Sequence, residues 1–220
     1  MREEPDRRLF GVESSRRKDY VLLNWLGEPI EHFSLYAEAY HRAGQKLVQE
    51  YGTTGALRDF EAAPIVFLYR HAFELYLKAV LLIGSKNIRL QGNRGMTLER
   101  ILSSHRLTEF LPHVREIIRA VRWSWDLGVD GLRTEADFGH LVQELESVDP
   151  ASYTFRYPTG RDGESALPKH FAFNVLSFAH RLDPLLESLS GAVTALRSIG
   201  SSQRSSRMKI ANTKMTGLEA

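Results

Sequence analysis

The chain contains no cysteine. That excludes disulfides, a thiolate nucleophile, and zinc or iron–sulfur sites built on cysteine ligands. It has no run of apolar residues long enough to span a bilayer, because Arg70 to Lys78 interrupt the best candidate. The N-terminus, MREEPDRRLF, is charged where a secretory signal needs an apolar stretch. Also missing are a Walker-type lysine loop, an HExxH helix and a G-x-S-x-G nucleophile turn. GNRG at 92–95 imitates the GXXG clamp of KH domains, but that clamp needs an α/β context. The histidines do not cluster at metal-ligand spacing, so no metal or cofactor is expected. These absences lead us to expect a soluble cytoplasmic protein without a membrane partner.

What is present is ordinary in amount and uneven in placement. The 220 residues are 43% hydrophobic and 25% charged, enough for one domain with a sizeable core. The net charge of +2 hides a basic stretch from Lys86 to Arg122 followed by an acidic one from Asp126 to Asp149. Basic runs attract phosphates, yet solvated helix faces carry such charge more often.

Periodicity predicts helices almost throughout. Phe33, Ala37, Tyr40, Gly44, Leu47 and Tyr51 form one face of a long helix, with Ala37, Ala43 and Gly44 small enough for another helix to approach closely. Pro64 opens and Gly84 closes the next. Thr97 caps a short helix, and Ser103 or Ser104 caps one from about 106 to 123 that bends at Pro112. Thr134 with Asp137 opens a helix to about Val148. SYTFRYP at 152–158 reads as a short strand or an ordered loop. From Pro168 to about Ile199 the pattern is helical, kinked or divided at Asp183-Pro184. The expected organisation is a loose charged arm over 1–18, one all-α bundle over 19–199 with an irregular crossover near 152–163, and a disordered basic tail over 200–220.

The chemistry concentrates in FLYRHAFELYLKAVLLIG, residues 67–84. Arg70, Glu74 and Lys78 stand four apart, on one helix face, and His71 lies three before Glu74, within reach of its carboxylate. The apolar company leaves little of this helix free to meet water. A carboxylate buried there needs cations or donors beside it, since unpaired burial costs several kcal/mol. Such a network is either a structural lock or a site. His105 lies at a predicted helix start. Arg156, in FRYP, is either a surface residue stacked on Tyr157 or a guanidinium delivered to Glu74 by a rigid loop.

The combination YRHAFELYLKAVLL, SHRLTEFL and DPASYTFRYP resembles bacterial proteins of the HEPN class. That class shows a helix of the form R-H-x-x-E-L-x-L-K, a later H-x-L-x-x-L helix start and an F-R-Y-P segment. Arg70, His71, Glu74, Leu75, Leu77 and Lys78 match the first, His105 and Leu107 match the second in outline, and Phe155 to Pro158 match the third. The resemblance implies a helical bundle, often a homodimer, in RNA cleavage, toxin–antitoxin pairing or phage defence. RNA or a nucleotide and a partner protein are the partners it implies. HEPN ribonucleases carry an R-x(4–6)-H motif; the spacing occurs at Arg100–His105, Arg106–His113 and Arg133–His140, a frequency that composition alone explains. None lies on the last helical stretch, where many ribonuclease members place it.

The expected site therefore gathers Glu74, Arg70, His71, His105 and Arg156. As a ribonuclease, His105 or His71 is the acid–base, Arg156, Arg70 and Lys78 hold phosphate, and Glu74 orients them. The alternative is a non-catalytic regulatory or protein-binding module in which Arg70, Glu74 and Arg156 are structural. A third reading is an enzyme acting on a small phosphorylated ligand that enters by the basic loop at 86–100.

Overall fold

The computed structural model describes residues 21, 23, 29–54, 59–88, 96–160 and 162–216. The arm at 1–18 and most of the basic loop, residues 89–95, lie outside the described residues. Among the described residues there are six α-helices: α1 (Phe33–Thr54), α2 (Ala62–Asn87), α3 (Leu98–Ser103), α4 (Leu107–Ala120), α5 (Glu135–Val148) and α6 (Val175–Thr216). Among the described residues there is no β-strand, so the segment at 152–158 is the ordered loop.

Helix α2 is the axis of the bundle, with α1, α4 and α6 packed around it and α5 lying against α4. Every residue from Ala72 to Gly84 is buried, which is why its sequence is apolar all round rather than striped. Close approach depends on glycine at two points. A Cβ on Gly44 would fall 2.8 Å from the Tyr69 ring, and one on Gly84 would fall 2.7 Å from Ile117. The Tyr69 ring has no room to retreat, since it is fully buried and its hydroxyl donates to Asp183 at 2.8 Å. Gly44→Val is therefore expected to destabilise the protein by about 1–3 kcal/mol, as overpacking does; urea unfolding measures it.

The caps follow the sequence closely. Thr97 accepts from the Arg100 amide at the head of α3, and Thr134 and Asp137 form a complete capping box at the head of α5. Gly128 and Gly131, at φ 71° and 76°, supply the left-handed turn between α4 and α5. At α4 the expectation needs correcting: Arg106 occupies the cap position without a side-chain cap. Glu146 reaches across from α5 instead and accepts from the Thr108 amide at 2.8 Å and its hydroxyl at 2.9 Å.

The C-terminal helix differs most from expectation. Residues 168–174 are not helical, and α6 begins at Val175, where Asn174 accepts from the Ser177 amide at 2.9 Å. It then runs without division through Pro184. Asp183 does not cap a new helix there: its carboxylate takes donors from His41 at 2.7 Å, Tyr69 at 2.8 Å and Gln45 at 3.2 Å. That ties α6 to both α1 and α2. Nor does the helix stop at 199, since it continues to Thr216. No proline interrupts residues 201–216, and extending an established helix avoids the nucleation cost that makes a polar segment fail alone.

Candidate functional site

Arg70, Glu74 and Lys78 face α3, α4 and the turn joining them, and the close packing of α2 buries all three. Glu74, 1% exposed, is the centre. One carboxylate oxygen lies 2.9 Å from an Arg70 Nη1; the other lies 3.0 Å from Lys78 Nζ and 2.9 Å from His105 Nδ1. Lys78 also donates to the Leu102 carbonyl at 3.2 Å, and its ammonium sits over the Phe110 ring. Burial by itself would push the Glu74 carboxyl up, but Lys78 and Arg70 outweigh it and hold the group below the usual carboxylate range.

Arg70 joins two loops. Its second terminal nitrogen donates to the His105 carbonyl at 2.7 Å and to the Asp149 carbonyl at 3.4 Å. Asp149 in turn accepts from the Tyr153 and Thr154 amides at 2.7 and 3.0 Å, which fixes the start of the loop bearing Phe155, Arg156 and Tyr157. Ser152 in this loop adopts a left-handed φ of 55° while buried, a conformation that costs of order 1–3 kcal/mol and persists only where surroundings impose it.

His105 is the outward end of the network. Its side chain is 53% exposed. Because ionised Glu74 can only accept, Nδ1 carries the proton of the 2.9 Å bond, and in the neutral ring Nε2 is left as the basic atom on the opposite edge.

This geometry corrects the expectations for Arg70, Lys78 and His71, and decides between the two for Arg156. Arg70 and Lys78, 1% and 3% exposed, are not at the surface to hold phosphate; they hold Glu74. His71 does not join the Glu74 carboxylate, whose oxygens are taken by Arg70, Lys78 and His105; its ring stacks on Phe67 at 5.5 Å and meets Tyr40 edge-on at 4.6 Å. Arg156 forms no ion pair with Glu74. Its guanidinium stands over three rings, 5.8 Å from Phe67, 5.9 Å from Tyr153 and 5.8 Å from Tyr157. Since Phe67 is two turns before Glu74, Arg156 lies about 10 Å from it along α2.

Among the described residues, several cations of α3, α4 and the turn between them are answered internally. Arg100 pairs with Glu109, Arg106 with Glu146, and Arg115 and Arg119 with Glu135. The basic and acidic stretches thus meet across α4 and α5, and none of Arg100, Arg106 or Arg133 serves the histidine spaced after it. Asp149 was given no role by the sequence, and Asp183 was given only that of a cap. Each precedes a proline, a position that suggests only a helix boundary, and nothing local shows their long-range partners.

His71 is held below the usual histidine range, first by burial and then by the cations Arg70 and Lys78, against the pull of Glu74. Asp183 is also held low: burial raises it, but the donors His41 and Tyr69 prevail. For all three groups the unfolded chain binds protons more readily than the folded one, so stability rises with pH. Stability should be full above about pH 6.5, begin to fall as His71 is forced to charge, and fall further below about pH 4 as Glu74 and Asp183 protonate. Urea midpoints measured from pH 8 to pH 3 check this; a rise on acidification would contradict it.

Among the described residues, no helix is long and apolar enough to cross a membrane and no group of His, Asp and Glu is placed to hold a metal ion. No protein-family model matches the chain, and no curated protein or solved structure does so.

Proposed function

We propose that this is a HEPN-like, RNA-directed protein of a defence or toxin–antitoxin type system acting in the cytoplasm, with His105 as its acid–base. The observation that supports the reading is the His105–Glu74 pair: a fully buried, ionised carboxylate fixing the tautomer of a half-exposed imidazole. Nε2 of such a ring accepts the proton of a ribose 2′-hydroxyl as its oxygen attacks the adjacent phosphorus, a general-base role; the P–O5′ bond breaks opposite, and the departing 5′-oxygen takes its proton from water. Arg156, held among aromatic rings, supplies a cation and stacking surface suited to a neighbouring nucleotide of a single strand. Glu74 positions His105; Arg70 and Lys78 act through Glu74.

The test incubates end-labelled single-stranded RNA with the protein and with His105→Ala. Cleavage leaving 2′,3′-cyclic phosphate ends, lost in the variant, supports the reading. Equal cleavage by both, or none by either, sinks it. The burial of Arg70, Glu74 and Lys78 favours a second reading, a structural lock inside a regulatory or protein-binding bundle, with a partner protein or a second copy as its target. In that case RNA is untouched and the lock is felt only in stability.

A further inference from the structure

A cleft lined by Arg70 but not by His105 lies outside the His105 site. It has a volume of about 260 Å³ and is formed where α5, the head of α6 and the crossover loop close on α2. Its walls are mostly apolar, with Phe155, Phe171, Phe173 and Phe178 the main side chains; Phe171 and Phe173 are 37% and 38% exposed. Such a space excludes a hydrated charge but accepts a flat ring.

The inner wall is different. Arg70 and Asp149, both 1% exposed, line it. Arg70 Nε and Asp149 Oδ2 face each other at 3.6 Å, too far for a hydrogen bond, and neither atom has a hydrogen-bond partner. The two attract as an ion pair, yet neither atom is hydrogen-bonded, and together they match an edge that offers an acceptor beside a donor. Charge narrows the choice further. Arg70 is answered by Glu74, and Arg181 at the mouth faces Glu144 at 3.8 Å. With no cation in excess, an anionic ligand gains nothing over a neutral one.

We propose that this cleft is a binding site for a small, neutral aromatic amide or lactam, its ring among Phe155, Phe171 and Phe178 and its amide edge spanning Arg70 and Asp149. Both polar atoms are closed to water as they stand, so binding draws the carboxylate and guanidinium slightly apart. The Asp149 backbone and its other oxygen remain tied to the loop. The same Arg70 holds Glu74 and the His105 carbonyl, so the ligand touches the residue on which the His105 site is hung. The cleft itself does not depend on the RNA reading.

Benzamide is the probe, with toluene and benzoate as controls, read on the full chain by thermal shift and by saturation-transfer NMR. Benzamide should raise the melting temperature in proportion to the logarithm of its concentration above saturation. Toluene, which lacks the edge, and benzoate, which adds a charge, should each bind at least about tenfold more weakly, the worth of one or two hydrogen bonds. Ser177→Trp, at an exposed position on the rim, should fill the cleft and abolish binding without lowering the melting temperature. If Ser177→Trp unfolds the protein, displacement of benzamide contacts is read on Phe171→Ala instead, where affinity should fall. The proposal is overturned if benzamide fails to bind at millimolar concentration. Toluene or benzoate binding as well as benzamide, or binding that survives the rim substitutions, overturns it equally.

Discussion

Glu74→Ala is expected to lower the free energy of unfolding by about 3–5 kcal/mol, the usual cost of breaking a buried ion pair from one side. The reason is not the loss of attraction alone. Arg70 and Lys78 are 1% and 3% exposed, and without Glu74 neither has an anion at hydrogen-bonding distance. Asp149 is 3.6 Å from Arg70 Nε and makes no hydrogen bond to it. A natural domain has only about 5–15 kcal/mol in total, so the variant comes near to unfolding. Replacing Glu74 and Lys78 together by Leu and Met removes the stranded ammonium while Arg70 keeps Asp149 at 3.6 Å, and should restore part of the loss. Urea midpoints of the two variants decide it. A loss below about 1 kcal/mol in Glu74→Ala is the value for an exposed pair, and would remove the structural importance assigned to the network.

The second large effect is on chemistry. If the RNA reading holds, His105→Ala should reduce cleavage about 10²–10⁴-fold, the range for removal of an acid–base group. Its urea midpoint should stay close to that of the parent, because the side chain is half-exposed and Glu74 keeps both its cations. The contrast between the two variants is what carries meaning. Glu74→Ala loses stability and therefore tells little about catalysis. His105→Ala retains the fold, so a loss of cleavage there belongs to the imidazole. Cleavage that persists in it would leave the histidine as a surface partner of the lock.

The line of polar residues in α2 was readable because spacing of four places side chains on one face whatever surrounds them. The surrounding apolar residues showed that a carboxylate there needed partners from afar. His105 was among the residues named. Arg156 takes the first of its two readings, exposed and over Tyr157; the sequence left the choice open because a loop's direction depends on contacts such as Asp149 to Tyr153 and Thr154, which are turn geometry rather than pattern. The same holds at α6. Asp183-Pro184 has the local form of a cap and a first helical residue, yet His41, Tyr69 and Gln45 use that carboxylate from two other helices. Local signals gave way where tertiary partners competed for the same side chain. Thr97 and Thr134 kept their predicted roles because no distant group competes for them.

The burial of α2 from Ala72 to Gly84 also bears on how the chain is made. Synthesis proceeds from the N-terminus, so α2 leaves the ribosome before α4 and α6 exist to cover it. At about 5–20 residues per second that interval is on the order of ten seconds. Through it a helix with apolar residues on nearly every side meets the translation machinery and its attendant chaperones uncovered. Arg70, Glu74 and Lys78 mark that segment during the wait: three ionised groups along its length make it a poor substrate for the insertion apparatus that reads apolar helices as membrane spans. The residues that later lock the bundle first keep its central helix in water long enough for the bundle to form.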